Sequence, residues 1–111
     1  MDPNRSLLTT SVSDDGTISV SGDIDMAGGP VLEEAMLQQE AHTGDKGGDL
    51  VVDVGGVEFI DSSGLRSLLA AARRAGARNS VLELRSVGPE ISRLFEITGT
   101  LDQFKIVSRR D

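Results

Sequence analysis

Strand-like and helix-like segments alternate along most of this chain, and this alternation constrains the possible folds more than any other feature. Residues 50–54 form a short apolar run typical of a buried strand, and residues 81–84 form a second one. Between these runs, the apolar positions of residues 63–75 recur at the i, i+3, i+4, i+7 spacing of an amphipathic helix. Because a helix between two strands makes a crossover connection, the pattern predicts a largely parallel sheet.

The alternation continues on both sides of this central unit. Residues 8–12 and 17–21 alternate in polarity and flank a turn signal at residues 14–16, which suits a hairpin. Another helix is predicted to begin at Pro89, and residues 104–107 form the last strand-like run. With a helix before residue 50, the predicted order is β-β-α-β-α-β-α-β. The fold class is therefore α/β, with a mixed, mostly parallel sheet of four to five strands and about three to four helices.

The helix ends carry their own signals. The helix before residue 50 is predicted over residues 31–42, with residues 27–29 as the loop that leads into it. Pro30 suits its first position, and Glu33 and Glu34 fall in the predicted first turn, where the helix dipole favours anions. Glycine commonly follows the last helical residue. The predicted helix stops are Gly44, Gly76 and Gly99.

The composition is that of one folded domain. Leu, Ile, Val and Phe make up 31 of the 111 residues, well above the roughly 20% below which highly charged chains stay disordered. A chain of 111 residues suits a single hydrophobic core. We therefore expect one domain over residues 1–111, with its core at about residues 6–108.

Several classes of protein are disfavoured by composition. No apolar run approaches the ~18–20 residues of a membrane span, and the first residues lack the features of a signal peptide. We therefore expect a cytoplasmic protein with no direct membrane insertion. The absence of cysteine excludes disulfides and thiolate metal sites. A pI near 4.6 argues against a nucleic-acid partner.

The net charge of -7 is unevenly distributed. Residues 1–62 hold 13 acidic and 2 basic side chains, whereas residues 63–111 hold 5 acidic and 9 basic side chains. The change of sign falls within the segment Ile60-Asp61-Ser62-Ser63-Gly64. This segment therefore joins an acidic part of the chain to a basic one.

Patterns that would indicate an enzyme or a cofactor site are missing. The single histidine, His42, is predicted to lie near a helix end, where a surface position is the expected one. The chain has neither a G-x-S-x-G nucleophile turn nor a P-loop. Asp23, Asp25 and Asp61 carry the oxygen ligands that Mg²⁺ needs, but a solvated acidic loop is the favoured interpretation. We predict no catalytic residue, no metal and no cofactor.

The segment Asp61-Ser62-Ser63-Gly64 has two interpretations. Aspartate and serine at a helix start accept hydrogen bonds from free N–H groups, so a purely structural cap is one of them. The other is a phosphorylation site, because a phosphate at a helix N-terminus meets N–H donors and the positive end of the dipole. The residues by themselves do not separate Ser62 from Ser63.

Three blocks of this sequence resemble the STAS domain, specifically the anti-sigma factor antagonist family of bacteria. Residues 57–65 are similar to the family's strand–DSSGL–helix signature, and residues 22–25 (GDID) are similar to its G-E-L-D block. Residues 89–99 are similar to its closing helix. The three blocks occur in the family's order and spacing, and the resemblance covers nearly the whole chain.

The resemblance implies a regulatory switch and not an enzyme. In this family, the unphosphorylated antagonist binds an anti-sigma factor, usually a serine kinase, and so releases a sigma factor. The kinase phosphorylates the serine that follows the aspartate, here Ser62, which ends the interaction, and a PP2C-type phosphatase resets the cycle. By position in the motifs, the expected partner-binding residues are Asp23, Asp25, Asp61, Ser62, Ser63, Gly64 and Arg66. We expect Asp25, Asp61 and Ser62 to lie together at one end of the sheet.

Arg66 stands where the family often has glycine. It is four residues beyond Ser62, so on a helix it is either within reach of a phosphate on that serine or simply solvated. Two other functions remain open at this point. One is a STAS accessory subunit of a membrane (phospholipid) transport complex, and the other is a nucleotide-binding sensory STAS module.

Overall fold

The secondary structure follows the predicted order. The structure is a computed structural model that describes residues 7–43 and 49–108. In chain order, its elements are β1 (Thr9–Val12), β2 (Ile18–Ile24), α1 (Gly28–Thr43), β3 (Leu50–Ile60), α2 (Ser62–Ala77), β4 (Leu82–Val87), α3 (Pro89–Thr98), a short 3-10 helix (Leu101–Gln103) and β5 (Lys105–Ser108).

The five strands form one mixed sheet in the spatial order β1-β2-β3-β4-β5. β1 pairs antiparallel with β2, and all later neighbours pair in parallel. The parallel pairs require crossovers, and α1, α2 and α3 supply them. The predicted fold class is therefore confirmed, with five strands and three α-helices.

One face of the sheet is buried under helices. In β2, Ile18 and Val20 are buried while Ser19 and Ser21 are exposed, which is the alternation expected of a sheet covered on one side. α1 packs against α2, β2 and β3, and α2 also reaches β4. The largest fully buried side chains are Phe95, Ile18, Ile24, Leu32, Met36, Leu50, Leu68, Leu82 and Leu84.

The β1–β2 connection is the predicted turn. The Asp15 carboxylate accepts hydrogen bonds from the Ser13 hydroxyl and from the Thr17 N–H, and Gly16 has a φ of 89°. The hydrogen bond from Ser13, reinforced by those from Thr17, lowers the pKa of Asp15 to about 2. The turn therefore holds this carboxylate ionised.

The start of α1 differs from the prediction. The helix begins at Gly28, so Pro30 is its third residue and the first turn contains no acidic side chain. The prediction of a loop at residues 27–29 is therefore also wrong. Gly28 and Gly29 are both helical and buried. The cause is a capping aspartate upstream, which is described below. The predicted stop at Gly44 lies outside the described residues.

The predicted stop at Gly76 is also wrong, because α2 continues to Ala77 with Arg78 as its C-cap. Gly76 does not adopt the left-handed conformation that ends a helix. A Cβ atom built on it would also meet nothing within 4 Å, so no contact prevents the helix from continuing. By contrast, Gly99 has a φ of 70° and ends α3 as predicted. Glycine ends a helix only where the backbone turns into the left-handed region.

An ion-pair cluster joins the C-terminal parts of α1 and α2. Arg74 donates two hydrogen bonds of 2.9 Å to the buried Glu40 carboxylate, and Arg78 donates a third of 3.2 Å. The hydrogen bond to Glu40 raises the pKa of the Arg74 guanidinium above its usual value. This cluster, hereafter the Glu40 clamp, fixes α1 relative to α2.

Candidate functional site

The candidate site lies where β2 and β3 end and α1 and α2 begin. Ile24 and Ile60 are register partners in the parallel pair, and the Asp61 N–H donates to the Ile24 carbonyl at 3.2 Å. Residues 24–28 form the first junction and residues 60–64 form the second junction. The two junctions are therefore direct neighbours at the carboxyl end of the sheet, which is where α/β folds commonly bind ligands.

In the second junction, Asp61 caps α2. Its Oδ1 accepts hydrogen bonds from the N–H groups of Ser63 at 2.9 Å and Gly64 at 3.1 Å. Its own carbonyl accepts from the N–H of Leu65 at 2.9 Å. Ser62 is thus the first helical residue, and it is exposed, whereas Ser63 is half-buried. The capping role expected for this segment is present, and it leaves the Ser62 side chain accessible.

Gly64 permits close contact between the start of α2 and the end of β2. A Cβ atom built on Gly64 would lie 2.1 Å from the Ile24 carbonyl oxygen and 2.5 Å from Ile24 Cγ2. No side chain fits at those distances without a backbone shift. The glycine of the D-S-S-G segment therefore has a packing role in this chain.

The first junction repeats this arrangement. Asp25 Oδ1 accepts hydrogen bonds from the N–H groups of Ala27 at 3.1 Å and Gly28 at 2.8 Å. The Asp25 carbonyl accepts from the N–H of Gly29 at 2.7 Å. A Cβ on Gly28 would lie 2.2 Å from the Asp23 carbonyl oxygen. Asp25 therefore caps α1 as Asp61 caps α2, and this explains the early start of α1.

This duplication was not predicted from the sequence, although the sequence contains a signal for it. Ile24-Asp25-Met26-Ala27-Gly28 and Ile60-Asp61-Ser62-Ser63-Gly64 share the pattern I-D-x-[AS]-G. In this alignment, Met26 occupies the position of Ser62. Met26 is 76% exposed, so the residue after each capping aspartate faces outward.

The expected site residues differ in accessibility. Asp25 and Asp23 are 3% and 8% exposed, so their side chains lie beneath the surface at the end of β2. Asp61 is half-buried, while Ser62 and Arg66 are exposed. Asp25, Asp61 and Ser62 lie at the same end of the sheet. Their contribution to partner binding remains a prediction.

A shallow apolar groove adjoins the second junction. It has a volume of about 310 Å³ and lies between the end of β3 and α3. Phe59 and Ile97, two of its lining residues, are 51% and 73% exposed. The surface next to Ser62 is therefore partly apolar.

Over residues 7–43 and 49–108, no group of three or more His, Cys, Asp or Glu side chains is placed to hold a metal ion. In the same residues, no helix combines the length and the apolar character that a membrane span requires.

Comparison with known proteins agrees with this architecture. A sequence model of the family described as "Mlab, STAS domain" matches residues 8–107. An anti-sigma-B factor antagonist of Listeria monocytogenes is 35% identical over 89 residues, which cover 80% of this chain and 75% of that protein. The anti-sigma-B factor antagonist of Bacillus subtilis is 27% identical over 94 residues, which cover 85% of this chain and 83% of that protein.

A solved structure supports the same relationship. The crystal structure of an anti-sigma factor antagonist from Mycobacterium paratuberculosis superimposes with a TM-score of 0.71 and 30% identity. The match covers 96% of this chain and 88% of that one. The family match spans almost the whole described sheet and both junctions, so this chain belongs to the STAS domain family.

Proposed function

We propose that this protein is an anti-sigma factor antagonist whose unphosphorylated form binds an anti-sigma factor and thereby releases a sigma factor. The similarity to antagonists from Listeria, Bacillus and Mycobacterium supports this function. The observation that carries it is Ser62, an exposed hydroxyl directly after the capping Asp61 at the start of α2. In this proposal, the protein acts in the cytoplasm as a binding protein and not as an enzyme.

Phosphorylation of Ser62 by the anti-sigma factor, itself a serine kinase, ends the interaction in this proposal. A phosphate adds about -1.5 to -2 charges beside Asp61 and takes the net charge from -7 to about -9. The N-terminus of α2 tolerates this charge because its dipole is positive there. The fold therefore tolerates the phosphate. An acidic partner surface is repelled by its charge, and an apolar partner surface is disfavoured because it removes the water around the phosphate. A PP2C-type phosphatase restores the binding form.

The local geometry favours Ser62 over Ser63 as the phosphorylated residue. Ser63 is half-buried, and its N–H donates a hydrogen bond to the Asp61 carboxylate. Its carbonyl accepts a hydrogen bond from the Ser67 hydroxyl at 3.4 Å. Ser62 is exposed and has no such role in the cap. A kinase active site must surround the hydroxyl that it modifies, which the exposed serine permits.

The proposed docking surface has direct and indirect members. Ser62, Arg66 and the groove beside Phe59 are exposed and form the contact region. Asp23 and Asp25 are buried, so they act by holding the first junction in place. Arg66 lies one helical turn beyond Ser62 and is available to a phosphate there.

Incubation with serine kinases of the anti-sigma class from the same genome, with ATP, tests the proposal. Mass spectrometry should locate the phosphate on Ser62 in the native protein and show none in the Ser62→Ala variant. The Ser63→Ala variant, its matched control, should still be labelled. If every kinase leaves the native protein unlabelled and unbound, the proposed function is wrong.

Binding measurements test the switch separately. Ser62→Ala should bind the kinase as the native protein does and should resist inactivation by ATP. Ser62→Asp should bind at least about tenfold more weakly, a difference of about 1.4 kcal/mol. Equal affinities of the two variants would exclude charge at position 62 as the cause of release.

A further inference from the structure

Met26 is the counterpart of Ser62 in the duplicated junctions. Each residue directly follows an aspartate that caps a helix through the N–H groups two and three residues further on. The hydrogen bonds around the two positions are therefore alike, although Met26 lies in the turn before α1 and Ser62 is the first residue of α2, and both side chains are exposed. Met26 is 76% exposed, so its thioether is open to solvent.

Met26 and Ser62 also belong to the same patch of surface. Asp25 and Asp61 follow register partners on neighbouring parallel strands, which lie about 4.8 Å apart. A standard protein interface covers about 800 Å² on each partner. A partner that docks on Ser62 is therefore large enough to cover Met26 as well.

The thioether of Met26 differs in exposure from that of Met36, the other described methionine. Met36 is 0% exposed and belongs to the core, whereas Met26 is open to solvent. The chain has no cysteine, no tryptophan and no tyrosine, so a hydroperoxide finds few competing groups. Methionine sulfoxide is polar, whereas methionine is apolar, and reductases reverse the change.

We propose that Met26 is a site of reversible oxidation by hydroperoxides and that its sulfoxide weakens partner docking at the surface it shares with Ser62. In the reaction, a sulfur lone pair attacks one peroxide oxygen, an S–O bond forms and the O–O bond breaks. The sulfur loses two electrons, the proton of the attacked oxygen passes to the leaving oxygen, and the peroxide is thereby reduced to water, or to an alcohol if it is an alkyl hydroperoxide. The docking effect rests on the proposed function, whereas the oxidation does not.

The sulfoxide acts by polarity. Unmodified Met26 offers an apolar, flexible side chain that a partner surface can bury. The sulfoxide oxygen loses its water on burial and needs a hydrogen-bond donor in return. Oxidation of Met26 thus opposes docking without adding charge, whereas phosphorylation of Ser62 opposes it by charge.

The test exposes the native protein to dilute hydrogen peroxide and follows each methionine by mass spectrometry. Combined cleavage after Arg, Lys and Glu places Met26 and Met36 on different peptides, because Glu33 and Glu34 lie between them. Met26 should oxidise about tenfold faster than Met36, and methionine sulfoxide reductase should restore it. Equal oxidation rates at the two methionines, or faster oxidation of Met36, would show that Met26 is not the preferred oxidation site.

A binding assay then tests the consequence, with the kinase that binds the unmodified protein as the probe. Oxidised native protein should bind several-fold more weakly, and the reductase should restore its affinity. Met26→Leu has no thioether, so its affinity, whatever its starting value, should be the same before and after peroxide treatment. Met36→Leu should leave the sensitivity intact.

The two proposals fail differently. If no kinase binds even the untreated protein, the proposed function and the docking effect are both wrong, while the oxidation rates still decide the modification site. If the native protein binds the kinase equally well before and after full oxidation of Met26, the docking effect alone is wrong.

Discussion

The first and second junctions share a backbone design but differ in what surrounds them. Both use an aspartate cap and a glycine whose added Cβ would lie about 2 Å from a carbonyl oxygen of β2. Asp25 is 3% exposed, however, whereas Asp61 is half-buried. The comparison shows that the local turn is set by the aspartate and the glycine, and that accessibility is set by the neighbours.

The segment before β1 explains the difference in burial. A Cβ on Gly28 would lie 3.0 Å from Leu8 Cβ, and one on Gly22 would lie 2.2 Å from the Leu7 carbonyl oxygen. Leu8 therefore packs against Gly28 in the first junction, and the Leu7 backbone lies against Gly22 just before that junction. The second junction borders the open groove at Phe59 instead. The capping aspartate is thus buried in one junction and half-buried in the other, whereas the residue that follows it is exposed in both.

The largest effect is expected from the close-approach glycines. Gly64→Ala should lower the free energy of unfolding by about 3 kcal/mol, because its Cβ meets the rigid Ile24 backbone. Gly28→Ala should lower the free energy of unfolding somewhat less. Part of the contact at Gly28 is with the Leu8 side chain, which can move more easily than backbone. Denaturant titration followed by circular dichroism measures both, since the chain has no tryptophan or tyrosine for fluorescence.

Gly76→Ala is the matched control for these glycines. Gly76 is helical and has open space around it, so alanine there should raise the unfolding free energy by up to about 1 kcal/mol. A loss at Gly76 as large as that at Gly64 would mean that close approach is not what makes the junction glycines necessary.

The next effect concerns the Glu40 clamp, which holds together the two helices that start at the junctions. Glu40→Gln should cost about 2 kcal/mol, because Glu40 is 7% exposed and accepts charged hydrogen bonds from Arg74 and Arg78. Glu34→Gln, at an exposed site on the same helix, should change the unfolding free energy by less than about 0.5 kcal/mol. Similar denaturation midpoints for the two variants would show that the clamp contributes nothing.

A smaller effect separates the two caps. Asp25→Ala should cost about 1.5 kcal/mol and Asp61→Ala about 1 kcal/mol, because water can replace the carboxylate more easily at the half-buried site. Asparagine keeps a capping oxygen, so Asp25→Asn and Asp61→Asn should each recover most of the loss. If Asp61→Ala proves the costlier change, burial does not distinguish the junctions.

The smallest effect should come from exchanging the outward residues. Met26→Ser and Ser62→Met should each alter the unfolding free energy by less than about 0.5 kcal/mol, because both side chains are exposed. Ser62→Met should nevertheless abolish phosphorylation in the kinase assay. A large loss of stability in either variant would contradict the equivalence of the two positions.

Much of the fold follows from local patterns that the sequence displays. Apolar periodicity located the three α-helices and the five strands, and the alternation of the two predicted the parallel sheet. The 3-10 helix at Leu101–Gln103 was not predicted, and β3 continues to Ile60, beyond the predicted run at residues 50–54. The limits of α1 and α2 were predicted less well. The start of α1 depends on Asp25, which caps from three residues upstream, and α2 passes Gly76 because nothing there demands a left-handed backbone.

By itself, the sequence determined the α/β order, the family resemblance and the serine segment as the candidate switch, because these depend on residue type and spacing. Only the tertiary structure decided that the two junctions are neighbours, that Asp25 is buried, and that Met26 and Ser62 are both exposed. Burial and proximity depend on strand register and on distant segments such as residues 7 and 8. No local pattern in the sequence encodes those contacts.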